Sequence, residues 1–129
     1  MTLQVKDANA VVKDMKTSLD GGEHITHHNI DREPWPTTPN VYTLYLTTAN
    51  TQYSQTLPAN CKRFEWRARQ IADVRWAFET GKVATPTEPY LTLKAGTAYD
   101  SGLVNLDSAP TLYFASSVAL TLVEIIAWT

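Results

Sequence analysis

The stretch RFEWRARQIADVRWAFE, residues 63–79, decides the fold. A helix is the first candidate, because the wider segment from Asn60 to Lys82 is rich in good helix formers and poor in breakers. Its apolar residues argue otherwise. Phe64, Trp66 and Ala68 alternate with Arg63, Glu65, Arg67 and Arg69, and Val74, Trp76 and Phe78 alternate with Asp73, Arg75, Ala77 and Glu79. Two blocks of period two around a short break read as strand, turn, strand, each with one apolar and one polar face. On this reading Trp66, Trp76 and Phe78 face a core.

The same signature extends in both directions. VYTLYLTT (41–48), YLTLKA (90–95), TLYFASS (111–117) and ALTLVEIIAW (119–128) are β-branched, aromatic or leucine-rich. Between them lie LPANC, ETGK, TPTEPY, KAGTAYDSG and LDSAP, which are turn material. Seven or eight short one-sided strands in some 90 residues predict an all-β domain, a β-sandwich or jelly roll, over residues 40–129. TLYLT (43–47) and TLYFA (111–115) look alike, but so short a match is no internal repeat.

Residues 1–39 differ. They are polar, turn-rich and close in EPWPTTP, where Pro34, Pro36 and Pro39 impose an extended, helix-hostile path. TLQVK (2–6) and AVVKDMKTSL (10–19) would make short strands, in a hairpin, with too little apolar matter to form a core. An extended N-terminal arm with a stiff linker is expected here.

Bulk properties exclude several functions. With 129 residues, one domain is the expected size. A composition 43% hydrophobic and 19% charged is that of a globular chain. A net charge of −2 gives no general attraction to nucleic acid or anionic membranes. The strip Arg63, Arg67, Arg69, Arg75 is interleaved with Glu65, Asp73 and Glu79, which suits a solvated or interface face better than a phosphate track. One cysteine, Cys61, allows no internal disulfide. No charged and then apolar leader opens the chain, so synthesis in a reducing cytoplasm is expected.

Chemistry has few candidates. GEHITHHN (22–29) holds all three histidines. His24, His27 and His28, with Glu23 or Asp31, would supply part of a metal site. On an extended strand, however, His24 and His28 share one face and His27 takes the other, so a closed site would need ligands from elsewhere. Polar contacts of an arm at an interface are the favoured reading, with no metal and no cofactor. No serine lies in a nucleophile elbow, Cys61 lacks a catalytic flank, and no phosphate or dinucleotide fingerprint occurs. Carboxylate pairs for glycoside hydrolysis need only spatial proximity, and no stretch suggests one. The expectation is not an enzyme. Trp66 and Trp76 are in phase with the core, whereas Trp35, between two prolines, has the character of an exposed docking anchor. The loops of 79–102 form a further candidate partner surface.

VKDANAVVKDMKTSLDGGEHITHHNID (5–31) is similar to the N-terminal segment of small virion proteins of tailed bacteriophages. ADVRWAFETGKVATPTEPYLTLKAGTAY (72–99) and TLYFASSVALTLVEIIAW (111–128) resemble the β-rich body of phage head proteins that decorate or cement the capsid. The resemblance implies a capsid decoration protein on the virion surface, made in the bacterial host cytoplasm. Its implied partners are the major capsid protein and itself, as a homotrimer, and it transfers no catalytic residue. His24, His27, His28 and Trp35 are then expected to bind partners. A tail or head-fibre component that binds a host glycan or attaches another virion protein is the alternative. A cellular carbohydrate-binding module is a third reading, disfavoured by the missing leader.

Overall fold

The computed structural model describes Gln4–Lys6, Val11–Asp14 and residues 35–129. The chain divides into two units, Met1–Pro34 and Trp35–Thr129. In the first, β1 (Gln4–Lys6) and β2 (Val11–Asp14) pair antiparallel, with Gln4 opposite Asp14. The histidine stretch 22–29 lies outside the described residues.

The second unit holds eight strands: β3 (Pro39–Leu46), β4 (Tyr53–Thr56), β5 (Arg63–Ala68), β6 (Val74–Ala77), β7 (Leu91–Leu93), β8 (Ala98–Asp100), β9 (Thr111–Ser116) and β10 (Thr121–Trp128). They form two antiparallel sheets, ordered β3-β10-β5-β8 and β4-β9-β6-β7. Successive strands from β3 to β6 alternate one by one between the sheets, and the two last strands return to the interior of each sheet. This is jelly-roll order, and the domain is all-β as its alternation predicts. No helix occurs among the described residues.

The sheets face each other across an aromatic core. Phe64 and Trp66 of β5 meet Trp76 of β6 and Phe114 of β9, all at most 2% exposed. The Trp66 ring lies edge-on to Phe114 at 4.9 Å and to Trp76 at 5.7 Å, the geometry ring quadrupoles prefer. Leu46 of β3, Leu112 of β9, and Val123 and Ile125 of β10 close the layer. Trp66 Nε1 is buried with no hydrogen-bond partner among the described residues, so the core accepts an unsatisfied donor to keep that ring.

Three readings need correction. Phe78 was expected on the core side of its strand, but β6 ends at Ala77 and Phe78 is 53% exposed. Its ring instead caps the end of the sandwich, edge-on to Trp76 and Phe64. Ala77, assigned to the polar face, is buried. Finally, the sequence reading placed strands at neither β4 nor β8. YSQT and AYD are short and mostly polar, and pairing with β9 and β5 is what makes them strands.

Ala77 is buried because the outer face of the second sheet is covered by the chain itself. The connection between β6 and β7 folds back over that face and inserts Val83, fully buried, beside Ala77 and Ala115, with Tyr90 and Tyr113 around them. Two alanines, one on each central strand, leave the room a loop needs to lie flat. Arg75 fastens it: Nε donates to Val83 O at 2.7 Å, and Nη2 to Ala84 O at 3.3 Å and to Asn50 Oδ1 at 2.7 Å. Gln52 adds bonds to Thr80 and to the Gly81 amide.

Candidate docking surface

The outer face of the first sheet has no such cover among the described residues. Register places on it Val41, Thr43 and Tyr45 of β3, Leu122, Glu124, Ile126 and Trp128 of β10, Arg63, Glu65 and Arg67 of β5, and Ala98 and Asp100 of β8, with Leu122 alone among them buried. The face is divided lengthwise. Towards β3 it is apolar, with Val41 72% and Tyr45 60% exposed. Towards β5 and β8 it is a ladder of ion pairs, with a shallow depression of about 460 Å³ between the halves, lined by Val41, Ile126, Arg67 and Glu124 among others.

The charges on the ladder neutralise one another. Arg63 binds Asp100 through two nitrogens, at 2.6 and 3.1 Å, and also reaches Glu65 at 2.7 Å. Its guanidinium lies over the Trp128 ring at 5.5 Å. Glu124 accepts from Arg67 at 3.0 Å and from Arg69 at 2.5 Å. The Arg69 bond first, and the Arg67 bond second, hold the Glu124 carboxyl below its ordinary range. The Arg63 bond, followed by the Gly102 amide, does the same for Asp100. A general acid for glycoside hydrolysis needs a raised pKa, so these two carboxylates are tuned the wrong way for that role. Exposed pairs of this kind contribute little stability and fix orientation instead.

The basic strip read from the sequence is therefore two separate features. Arg63, Arg67 and Arg69 stand on the open face, while Arg75, across the 69–73 turn that changes sheets, is tied beneath the loop on the opposite side of the sandwich. Cys61 is fully buried, its Sγ donating to Arg63 O at 3.4 Å, and burial pushes its thiol up, away from the thiolate a nucleophile requires. No group of three or more potential metal ligands occurs among the described residues. No helix among them is long and apolar enough to cross a membrane.

Of the four residues expected to bind partners, His24, His27 and His28 lie outside the described residues, and Trp35 is 66% exposed at the start of the second unit. Thr37 and Thr38, just after it, bond their amides to Thr129 O. The sequence reading did not find the open face. A signal for it was present: Val41 and Tyr45 are apolar on the side of β3 that alternation assigns to solvent.

No family model and no curated protein matches the sequence. Two solved structures are similar to it. A de novo designed double-stranded β-helix aligns over 72% of this chain and all of its own, at 13% identity and a TM-score of 0.43. A chain from the disulfide-linked pili of Bacillus endospore appendages aligns over 81% of this chain and 98% of its own, at 15% identity and a TM-score of 0.39.

Proposed function

We propose that this chain is a non-catalytic virion protein of a tailed bacteriophage, which decorates the head by binding between major capsid subunits. The observation that supports an attachment role is the inequality of the two outer faces. One is sealed by the protein's own loop, and the other presents exposed valine and tyrosine and a half-buried isoleucine beside self-neutralised charges. That composition suits a protein partner, since apolar area drives association and compensated charges cost little to approach. The phage setting comes from the sequence resemblance of residues 5–31, 72–99 and 111–128. Binding would act thermodynamically, because a ligand that needs the assembled shell stabilises assembly by mass action. The arm histidines His24, His27 and His28, together with Trp35, are the proposed capsid contacts outside the open face.

The alternative, glycan recognition by a tail or head fibre, calls for aromatic rings grouped on one surface. Tyr45 stands opposite Leu122, six residues along β10 from Trp128, which places the two rings about 20 Å apart at the rise of a strand. A single sugar ring does not span that distance.

Purified virions of the encoding phage test the reading. The chain should be found on heads, heads made without it should rupture at lower temperature, and added protein should restore them. Recovery of the chain on tails supports the fibre alternative. Its absence from virions overturns both.

A further inference from the structure

We propose that the free edge of β3 pairs with the same edge of a second copy, antiparallel about a two-fold axis through Thr43. The inference is independent of the phage reading.

Among the described residues, four strand edges are open at the sides of the two sheets: β3, β8, β4 and β7. Three are only three or four residues long, which is one way proteins keep edges from pairing. β3 has eight residues, PNVYTLYL, with no charge among them. It is the unguarded edge.

Its hydrogen-bonding parity follows from one pair. Thr38 and Thr129 exchange both backbone bonds, at 3.1 and 3.0 Å. With the continuous register to β10, Asn40, Tyr42, Leu44 and Leu46 then also face β10, and Val41, Thr43 and Tyr45 turn their N–H and C=O groups outward. The run is bounded at both ends, since Pro39 has no N–H and the strand stops at Leu46. Three outward residues, an odd number, are self-complementary. An antiparallel copy centred on Thr43 sets Val41 against the partner's Tyr45, Thr43 against the partner's Thr43, and Tyr45 against the partner's Val41. Every outward donor and acceptor is then used. Aromatic with β-branched, and threonine with threonine, are favourable cross-strand pairs. On the inner face the half-buried Tyr42 and Leu44 come opposite each other and close the side of the sandwich. The two sheets join into one of eight strands, and the apolar halves of the open faces become continuous. A three-fold ring, as the phage resemblance implies, has no two-fold axis and so cannot pair this edge with its own copy.

The full chain tests the register directly. Under oxidation Thr43→Cys should give a covalent dimer, because Cα atoms of a hydrogen-bonded pair sit about 5.5 Å apart, within disulfide reach. Ile71→Cys, exposed but far from the edge, should not. Both Val41 and Tyr45 side chains are exposed, so charged variants there keep the fold. V41K/Y45K should raise the dimer dissociation constant about tenfold by placing like charges opposite each other, while V41K/Y45E should dimerise through two ion pairs. A wild-type chain that sediments as a monomer at its highest attainable concentration overturns the proposal. So does a trimer, or equal behaviour of the two double variants.

Discussion

The two outer faces of this jelly roll begin from similar strands and end differently. On the second sheet, Ala77 and Ala115 are small enough for a loop to lie on them, and Arg75 holds that loop by two of its carbonyls while also bonding Asn50. On the first, the corresponding central strand carries Glu124, Ile126 and Trp128, too bulky for a close backbone to cross, and among the described residues no loop covers the face. The size of outward side chains on the middle strands thus decides whether a sheet is finished by its own chain or left for another. The core between them is common to both.

Experiments can break that contrast. The shared core sets the scale: Trp76→Ala should cost about 3–5 kcal/mol, read from denaturant unfolding, because it removes a buried ring from between the sheets. A loss under about 1 kcal/mol would mean the sheets do not depend on one aromatic layer. Next is the fastening of the loop. Arg75→Leu leaves two carbonyls and Asn50 Oδ1 without their donor and should cost about 2–3 kcal/mol. Proteolytic nicking within 78–90 should rise with it, while the first sheet keeps its amide protection.

The sharpest comparison uses one substitution on both faces. Val83→Ala, under the loop, should destabilise by about 2 kcal/mol. Val41→Ala, on the open face, should stay within about 0.5 kcal/mol in dilute protein. Equal costs would show that the first face is covered after all.

The smallest effect is electrostatic and belongs to the open face. Asp100 and Glu124 both have folded pKa values below their ordinary 3.8 and 4.5. Each therefore binds protons more readily unfolded, so its contribution is fully present above those ordinary values and is lost as pH falls below them and through the lower folded values. Melting temperature should drop as pH falls below about 4.5, and less so in high salt. Glu124→Gln should flatten part of that slope without changing stability at neutral pH by as much as Val83→Ala.

Much of this architecture can be read from alternation. The strands with large inward residues, β5, β6, β9 and β10, are legible because Phe64, Trp66, Trp76, Phe114 and Ile125 recur at period two. β4 and β8 are not, because Gln55 and Asp100 carry no such signal and a neighbouring strand supplies the reason for their extension. Phe78 misled because periodicity cannot show where a strand stops. The loop over the second sheet was hidden for a related reason: Val83 sits alone among threonine, proline and lysine, and of the two alanines it packs on, Ala115 lies far away in sequence. The open face was half legible. Its polar side was seen as mixed charge, but the ion-pair partners Glu124 and Asp100 are contributed by other strands, a fact of topology that spacing does not carry.

The topology also sets an order in time. β9 and β10, the middle strands of the two sheets, are the last two in the chain, and every pairing of β3, β4 and β6 to its sheet runs through them except that of β6 with β7. During synthesis from the N-terminus, β5 can pair with β8 and β6 with β7, but β3 and β4 emerge with their only sheet neighbours still unmade. Until residues 111–128 leave the ribosome, neither sheet can close, and the nascent chain must keep β3, its long uncharged edge, from finding a stranger.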